Sequence, residues 1–274
     1  VKRILIPLLI VMILLPQEIS ALFIGYSGES QGFGGAGVAR SMDATSLLIN
    51  PAGIAMRQRY TLSAMGGFLE RDRWFGISVI DTQTSPLGLG VGYIYARKPD
   101  GDREHYLRVS VSEYYLETIY FGLSYRHHWF WDPSFGEYRD FPAFGLGMIL
   151  PLAYFQLGLS LMDFLPRRDP RLDPRIRTGI SIPFSVADPL GGGVHFDGIR
   201  KGYKNEWEIA GGIELLFFQK LFLRGGYHQD LQETRGSFHG GAGLAFSVLR
   251  MDYAFIFHPG GLKEHALSLE LAVF

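Results

Sequence analysis

The stretch PLGLGVGYIYAR, Pro86 to Arg97, sets Leu87, Leu89, Val91, Tyr93 and Tyr95 at every second position, with Gly88, Gly90 and Gly92 between them. Successive side chains of a β-strand point to opposite faces, so this segment reads as a strand with one apolar face and one nearly bare face. The same alternation recurs further along the chain. Ile119, Phe121, Leu123 and Tyr125 alternate with Thr118, Gly122, Ser124 and Arg126. Ile176, Thr178, Ile180 and Ile182 alternate with Arg175, Arg177, Gly179 and Ser181. Trp207, Ile209, Ile213 and Leu215 alternate with Glu206, Glu208, Gly212 and Glu214, and Met251, Tyr253 and Phe255 with Arg250, Asp252 and Ala254.

About fourteen such segments follow one another, at 60–69, 73–80, 87–96, 105–112, 117–128, 142–150, 153–163, 175–184, 190–198, 205–216, 219–228, 237–246, 249–257 and 265–274. No helical block interrupts them. Roughly ten residues is the length that crosses a bilayer as a tilted strand, whereas strands of soluble proteins mostly have about five or six. The second face carries Arg, Glu, Asp, Gly and Ser. The pattern predicts an all-β fold, a transmembrane antiparallel β-barrel of about 14 strands with lipid outside and a polar interior.

The connections agree. If the first hairpin points outward, the outer connections are ERD, RKPDGDRE, HWFWDPSFGEYRDF, FLPRRDPRLDP, GIRKGYKN, QDLQETRG and HPGGLKE. The inner ones are DTQTSP, SEYY, LPL, SVADP, FFQ and SVL, which are shorter and nearly uncharged. Outer-membrane barrels have short periplasmic turns and longer external loops, an asymmetry for which a soluble fold has no cause. Aromatic residues near strand ends, Trp74, Trp129, Trp131 and Trp207 among them, suit interfacial girdles, though β-rich chains carry aromatics in any case.

Composition narrows the function classes. The 274 residues have a formal net charge of −1, so no basic field points to nucleic acid. Charged residues are 19% and aromatics 14%, and there are 35 glycines and no cysteine. Without cysteine there is no disulfide scaffold, thiolate metal site or cysteine nucleophile. At the start, Lys2 and Arg3 precede the apolar run Ile4 to Leu15 and the small-residue site Ile19-Ser20-Ala21. Residues 1–21 therefore read as an export signal peptide, with a mature chain expected from Leu22.

QGFGGAGVAR, Gln31 to Arg40, raises a different possibility. Gly32, Gly34 and Gly37 have the G-x-G-x-x-G spacing of a dinucleotide-binding loop. That loop needs a buried strand before it, a helix after it and an acidic residue about 20 positions on. Only about ten residues of the expected mature chain precede Gly32, and the distal position falls at Arg57. The glycines have another purpose.

Within Gly32 to Ala55, the run Gly34-Gly35-Ala36, the step Asp43-Ala44 and the motif Asn50-Pro51-Ala52-Gly53 stand in order. This segment resembles the N-terminal signature of outer-membrane barrels related to the long-chain fatty acid transporter FadL, and more closely that of the PorV/PorQ group. Looser matches lie at Phe144 to Leu161, Arg224 to Tyr227, Met251 to Phe255 and the C-terminal strand. The resemblance implies that residues 22–59 fold inward as a hatch, or plug, inside a barrel formed by 60–274. Gly32, Gly34, Gly35, Gly37, Asp43, Asn50, Pro51, Ala52 and Gly53 would be its key positions. Glycine and alanine permit close backbone approach to a wall, and Asn-Pro favours a turn. Two features depart from the family: the chain is short for the fatty acid transporter, and Phe274 is out of phase with Leu267, Leu269, Leu271 and Val273.

The polar strand faces nominate lumen residues: Arg108, Arg126, Arg175, Arg177 and Arg224 as cations, Glu206, Glu208, Glu214 and Asp252 as anions, and His228. They read as a salt-bridged lumen wall, or as anchors for a ligand headgroup. His127 and His128 are adjacent, so they point to opposite faces and do not share a metal readily. No motif fixes a nucleophile, and the expectation is of no catalytic residue, no metal and no cofactor. Two functions follow from the resemblance. One is passage of hydrophobic small molecules across the bacterial outer membrane. The other is a PorV-like role in binding or shuttling secreted proteins, with Trp129 to Phe141 and Pro166 to Pro174 as contact loops. Outer-membrane lipid is the expected surrounding in both.

Overall fold

The computed structural model describes residues 27–42, 44–69, 72–98, 102–115, 118–132, 136–164, 174–202, 205–232 and 235–273. The expected leader, Asp43, the Pro166–Pro174 connection up to residue 173, and Phe274 lie outside the described residues.

Fourteen antiparallel strands follow in sequence: β1 (Tyr60–Leu69), β2 (Asp72–Asp81), β3 (Gly88–Arg97), β4 (Arg103–Tyr115), β5 (Ile119–Asp132), β6 (Glu137–Pro151), β7 (Gln156–Phe164), β8 (Arg175–Ala187), β9 (Leu190–Lys201), β10 (Glu206–Phe217), β11 (Leu221–Asp230), β12 (Arg235–Phe246), β13 (Leu249–Phe257) and β14 (Lys263–Val273). Each pairs with its neighbours in sequence, and β1 pairs with β14 from Tyr60↔Val273 to Leu69↔Glu264, so the sheet closes into a barrel. Closure leaves no free sheet edge around the wall, which is what a backbone surrounded by hydrocarbon requires.

Alternation sorts the side chains. On β2, Phe75, Ile77 and Val79 are exposed on the outside while Trp74, Ser78 and Ile80 are buried in the lumen. On β14, Leu267, Leu269 and Leu271 are exposed while Ala266 and Ser268 are buried. The same split runs through Leu89, Val91, Leu123, Ile182, Ile209, Ile213 and Leu223, giving a continuous apolar outer surface. A surface of that extent in a closed barrel is a lipid-facing belt.

One expected connection is largely strand. The stretch from Trp129 to Phe141 does not form a loop: β5 runs to Asp132 and β6 starts at Glu137, with Trp129↔Asp140, Phe130↔Arg139 and Trp131↔Tyr138 in register. Aromatic residues favour strands and pair across them. Phe130 stacks on Phe141 with ring centroids 5.7 Å apart, and Trp131 meets Tyr138 edge-on at 5.2 Å. Among the described residues the β6–β7 ladder begins at Phe144↔Phe164, and Glu137–Ala143 pair with β5. Pro142, which has no N–H to give, lies in this stretch.

The segment before β1 runs inside the barrel. It comprises α1 (Gly28–Gly32), α2 (Ala44–Ile49) and a 3-10 turn (Pro51–Met56). Apart from its junction with β1, it is almost wholly buried by the surrounding wall.

Candidate functional site

The lumen segment owes its path to a few residues. Ser27 caps α1, its Oγ accepting from the Ser30 N–H at 3.3 Å, and lies 2.6 Å from Thr45 Oγ1. The chain then turns through Gly34, Gly35 and Gly37, whose φ angles of 81°, 74° and 134° lie in the left-handed region that glycine tolerates. This turn answers the G-x-G-x-x-G spacing: Gly32 and Gly34 press backbone against the barrel wall, and Gly37 gives its N–H to Asp197. A Cβ on Gly34 would stand 2.7 Å from the Tyr227 carbonyl oxygen.

Asn50 fixes the second half. It is fully buried, and its Oδ1 accepts from the Ala52 N–H at 3.2 Å, capping the 3-10 turn. Its Nδ2 faces the carbonyls of Val38 at 2.8 Å, Met148 at 3.2 Å and Leu159 at 3.3 Å. One side chain thereby joins two parts of the segment to β6 and β7. Pro51 and Ala52 lie against Gly122 and Gly147, where any Cβ would collide with them, and a Cβ on Gly53 would collide with the Ser41 carbonyl.

The wall is shaped to match. A Cβ on Gly158 would meet Ala39 N at 2.5 Å, and one on Gly212 would meet Phe33 Cβ at 2.5 Å. Phe33 sits in the slot made by Gly212 and Gly226, with its ring 5.0 Å from that of His195. Gly88 and Gly90 accept Ile54 and Leu47, which a Cβ would meet at 2.9 and 2.7 Å. The glycines of the opening stretch thus make room for the segment, and their strand keeps an unbroken ladder with β2 and β4.

From β4 to β12 the wall also holds the segment by hydrogen bonds. Asp197 accepts from the N–H groups of Gly37 at 2.9 Å and Val38 at 3.0 Å. Arg177 donates to the Gly35 carbonyl at 2.9 Å and lies 3.5 Å from Asp197. Arg108 donates to the Leu47 carbonyl at 2.9 Å, Ser112 to Ala52 at 2.9 Å and Ser160 to Ile49 at 2.7 Å. His239 Nδ1 lies 2.8 Å from the Gln31 carbonyl and His228 Nδ1 3.3 Å from that of Gly34.

Apart from Arg177, which lies beside Asp197, the charged residues nominated from sequence fall into three groups. Arg224 sits between Glu214 and Asp252, 2.7 Å from each. Arg250 joins them through Asp252 at 2.9 Å and reaches Glu29 of the segment at 2.9 Å, while Arg40 of the segment reaches Glu214 at 2.7 Å. Three guanidiniums thus meet three carboxylates. Burial pushes the Glu29 carboxyl up, but Arg250, Arg40 and Arg224 together hold it well below the ordinary carboxylate range. In the second group, Lys201 pairs with Glu208 and lies 3.4 Å from Glu206, with His228 3.5 Å from Glu208. Arg175 is on the lumen side near Glu208 but solvent-exposed. In the third, Arg108 and Arg126 share Asp163, at 3.4 and 3.0 Å. A register shift opposite Gly145 puts Asp163 at φ 62°.

The β13–β14–β1–β2–β3 sector is different in kind. Met65, Trp74, Ile94, Ala96, Ala254 and Ala266 form a buried apolar patch with Ala44 and Leu48 of the segment. The Trp74 indole lies over Gly67, and its N–H has no hydrogen-bond partner among the described residues. Next along the wall, the hydroxyls of Thr61, Ser63 and Ser78 are buried and likewise unpartnered, as is that of Ser110 on β4. Ser63 and Ser78 face each other across the β1–β2 ladder. The segment's hydrogen bonds near here go to Ser268 on β14 and to Thr82 just past β2.

The sequence carries no assignment for Glu29, Phe33, Arg40, Asp163 and Lys201, which the structure places in these contacts. Only Asp163 and Lys201 carried a signal, a charge at a strand end. The contribution of Phe33 depends on Gly212 and Gly226, far away in sequence.

No family model matches the chain, and no curated protein sequence does. Solved structures match by shape. The toluene transporter TbuX of Ralstonia pickettii superimposes with a TM-score of 0.63 over 90% of this chain and 97% of its own, at 14% identity. A FadL homologue of Pseudomonas aeruginosa gives 0.64 over 90% and 98%, at 12% identity. The toluene transporter TodX of Pseudomonas putida gives 0.61 over 91% and 97%, at 13% identity. With its fourteen closed strands, apolar outer belt and occupied lumen, the chain has the fold of the FadL-like outer-membrane β-barrels.

Proposed function

We propose that the chain is a non-enzymatic channel that passes hydrophobic small molecules across the bacterial outer membrane, with the segment up to Arg59 as the hatch that closes its lumen. One observation carries this reading: the buried apolar patch of Met65, Trp74, Ile94, Ala96, Ala254 and Ala266 on the lumen side of the wall, completed by Ala44 and Leu48 of the hatch. A polar lumen wall serves water and ions; an apolar patch against a hatch serves a molecule that avoids water. The solved proteins of this shape include two toluene transporters, which supports the same substrate class. The Gly32, Gly34, Gly35, Gly37, Asn50, Pro51, Ala52 and Gly53 positions seat the hatch, and the nominated lumen charges hold it or line its surroundings.

The test uses intact Gram-negative cells expressing the full chain. Uptake of the hydrophobic dye N-phenylnaphthylamine is expected to rise, while periplasmic hydrolysis of a chromogenic cephalosporin stays at background. Deleting Gly32–Gly53 is expected to admit the cephalosporin. No rise in dye uptake from a correctly inserted barrel would defeat the reading.

A second reading, a PorV-like protein-binding component, is favoured by the aromatic β5–β6 hairpin, where Trp131 packs on Tyr138 and Tyr138 is exposed. Exposed aromatic side chains are favoured anchors at protein–protein interfaces. Native mass spectrometry of gently extracted protein separates the two: a bound secreted protein, lost on shortening the hairpin, supports the second reading, and a bound small hydrophobic molecule supports the first.

A further inference from the structure

We propose that the permeant passes the hatch along β1 and β2, and that it is an uncharged, weakly polar compound: an apolar ring or chain bearing one hydroxyl or carbonyl. This inference rests on the channel reading and names its route and ligand chemistry.

The route follows from how the hatch is held. Arg177, Asp197, Ser160, Ser112, His239 and Asn50 bind hatch to wall around the opposite side, and moving the hatch there breaks each of those bonds. On β1 and β2 the contact is apolar: Met65 and Trp74 cluster with Ala44 and Leu48, and Ile80 with Leu47 and Ile54. Apolar contacts slide with little loss, whereas a buried hydrogen bond, once parted, leaves two unsatisfied groups.

The ligand class follows from the unpartnered groups. Trp74 Nε1 and the hydroxyls of Thr61, Ser63 and Ser78 are at least nine-tenths buried, on the lumen face of two adjacent strands. The indole N–H is a donor only, and the hydroxyls donate and accept. A bare hydrocarbon would leave all of them unsatisfied. A carboxylate would need a cation, and the nearby Arg59 and Arg250 already face Glu270, Glu29 and Asp252. A single hydroxyl or carbonyl on an apolar body matches the apolar patch and the polar groups together. Leu47 closes the far flank of this path, resting on Gly90 and Gly92.

The chain has no cysteine, so single substitutions report one position each. Ser63→Cys and Ser78→Cys, in the full-length purified barrel, are to be treated with 2-aminoethyl methanethiosulfonate, with Ser160→Cys as the control on the bonded side. Modification at positions 63 and 78 is expected to be about tenfold faster than at 160, roughly the factor that one hydrogen bond contributes to an opening equilibrium. Benzyl alcohol is expected to slow it, and toluene, the same ring without the hydroxyl, to slow it less. Equal rates at all three positions would overturn the route. Equal protection by the two probes, or protection by neither, would overturn the ligand class. Fast modification and protection in a barrel that takes up no hydrophobic dye would leave the site standing and remove the channel.

Discussion

On β7 and β9 the wall reaches the hatch with Ser160 and Asp197, and each side chain ends on hatch backbone. On β1 and β2 the wall offers Ser63 and Ser78, whose hydroxyls end on nothing described. The residue types are similar and both sectors are buried, so composition does not separate them. What separates them is whether the hatch backbone turns its own polar groups toward the wall. Against β4 to β12 the chain turns outward the N–H and C=O groups of the glycine turn and the 3-10 turn, together with the last carbonyls of α2 at Leu47 and Ile49. Against β1 and β2 it presents Ala44 and Leu48 of α2, a helix that satisfies part of its own backbone and shows the wall side chains instead. The lesson is that a plug can be fastened on one side and only packed on the other.

Breaking the fastened side is expected to have the largest effect. Asp197→Ala leaves Arg177 without its buried carboxylate and two hatch N–H groups unpaired. The hatch is expected to lose about 3–5 kcal/mol of seating, read as faster proteolysis of the hatch in the folded, detergent-solubilised barrel. Asn50→Ala removes the amide that bridges the Val38 carbonyl to β6 and β7 and the cap on the Ala52 N–H, for a loss of about 1–3 kcal/mol by the same assay. Glycine substitutions sharpen the contrast between sectors. Gly122→Ala drives a methyl into the Pro51–Ala52 backbone and is expected to cost about 1–3 kcal/mol. Gly92→Ala meets only the tip of Leu47 at 3.3 Å and is expected to be nearly silent. Among the serines, Ser160→Ala is expected to cost about 1 kcal/mol, while Ser78→Ala stays within about 0.5 kcal/mol.

The smallest effect concerns pH. The Glu29 carboxyl is held below its ordinary value of 4.5, so its contribution is complete above that value and is lost only as pH falls well beneath it. Hatch proteolysis is therefore expected to show no Glu29-dependent change between about pH 5 and 8. Glu29→Gln is expected to weaken seating throughout that range.

Much of this was legible in the sequence. Period two fixed the barrel, and β1 and β13 have the boundaries that alternation gave them. The lumen sides of Arg108, Arg177, Glu208, Glu214, Arg224, His228 and Asp252 followed from the same parity. The connection expected at Trp129–Phe141 is instead largely strand, because aromatic side chains pair across β5 and β6 there. The hatch contacts were out of reach for another reason. Phe33 with Gly226, Asn50 with Leu159 and Asp197 with Val38 join residues far apart in the chain, and no local pattern encodes such a pairing. The unpartnered hydroxyls were invisible because a serine on a strand's polar face reads the same whether bonded or not.

The most direct test of a hatch fastened on one side and passable on the other is a crystal structure of the barrel soaked in benzyl alcohol. Density for the ring against Met65 and Trp74, with its hydroxyl on Ser63 or Ser78 and the Asp197 bonds intact, is the expected result. Density on the Asp197 side with those bonds broken, or none within the lumen, would contradict it.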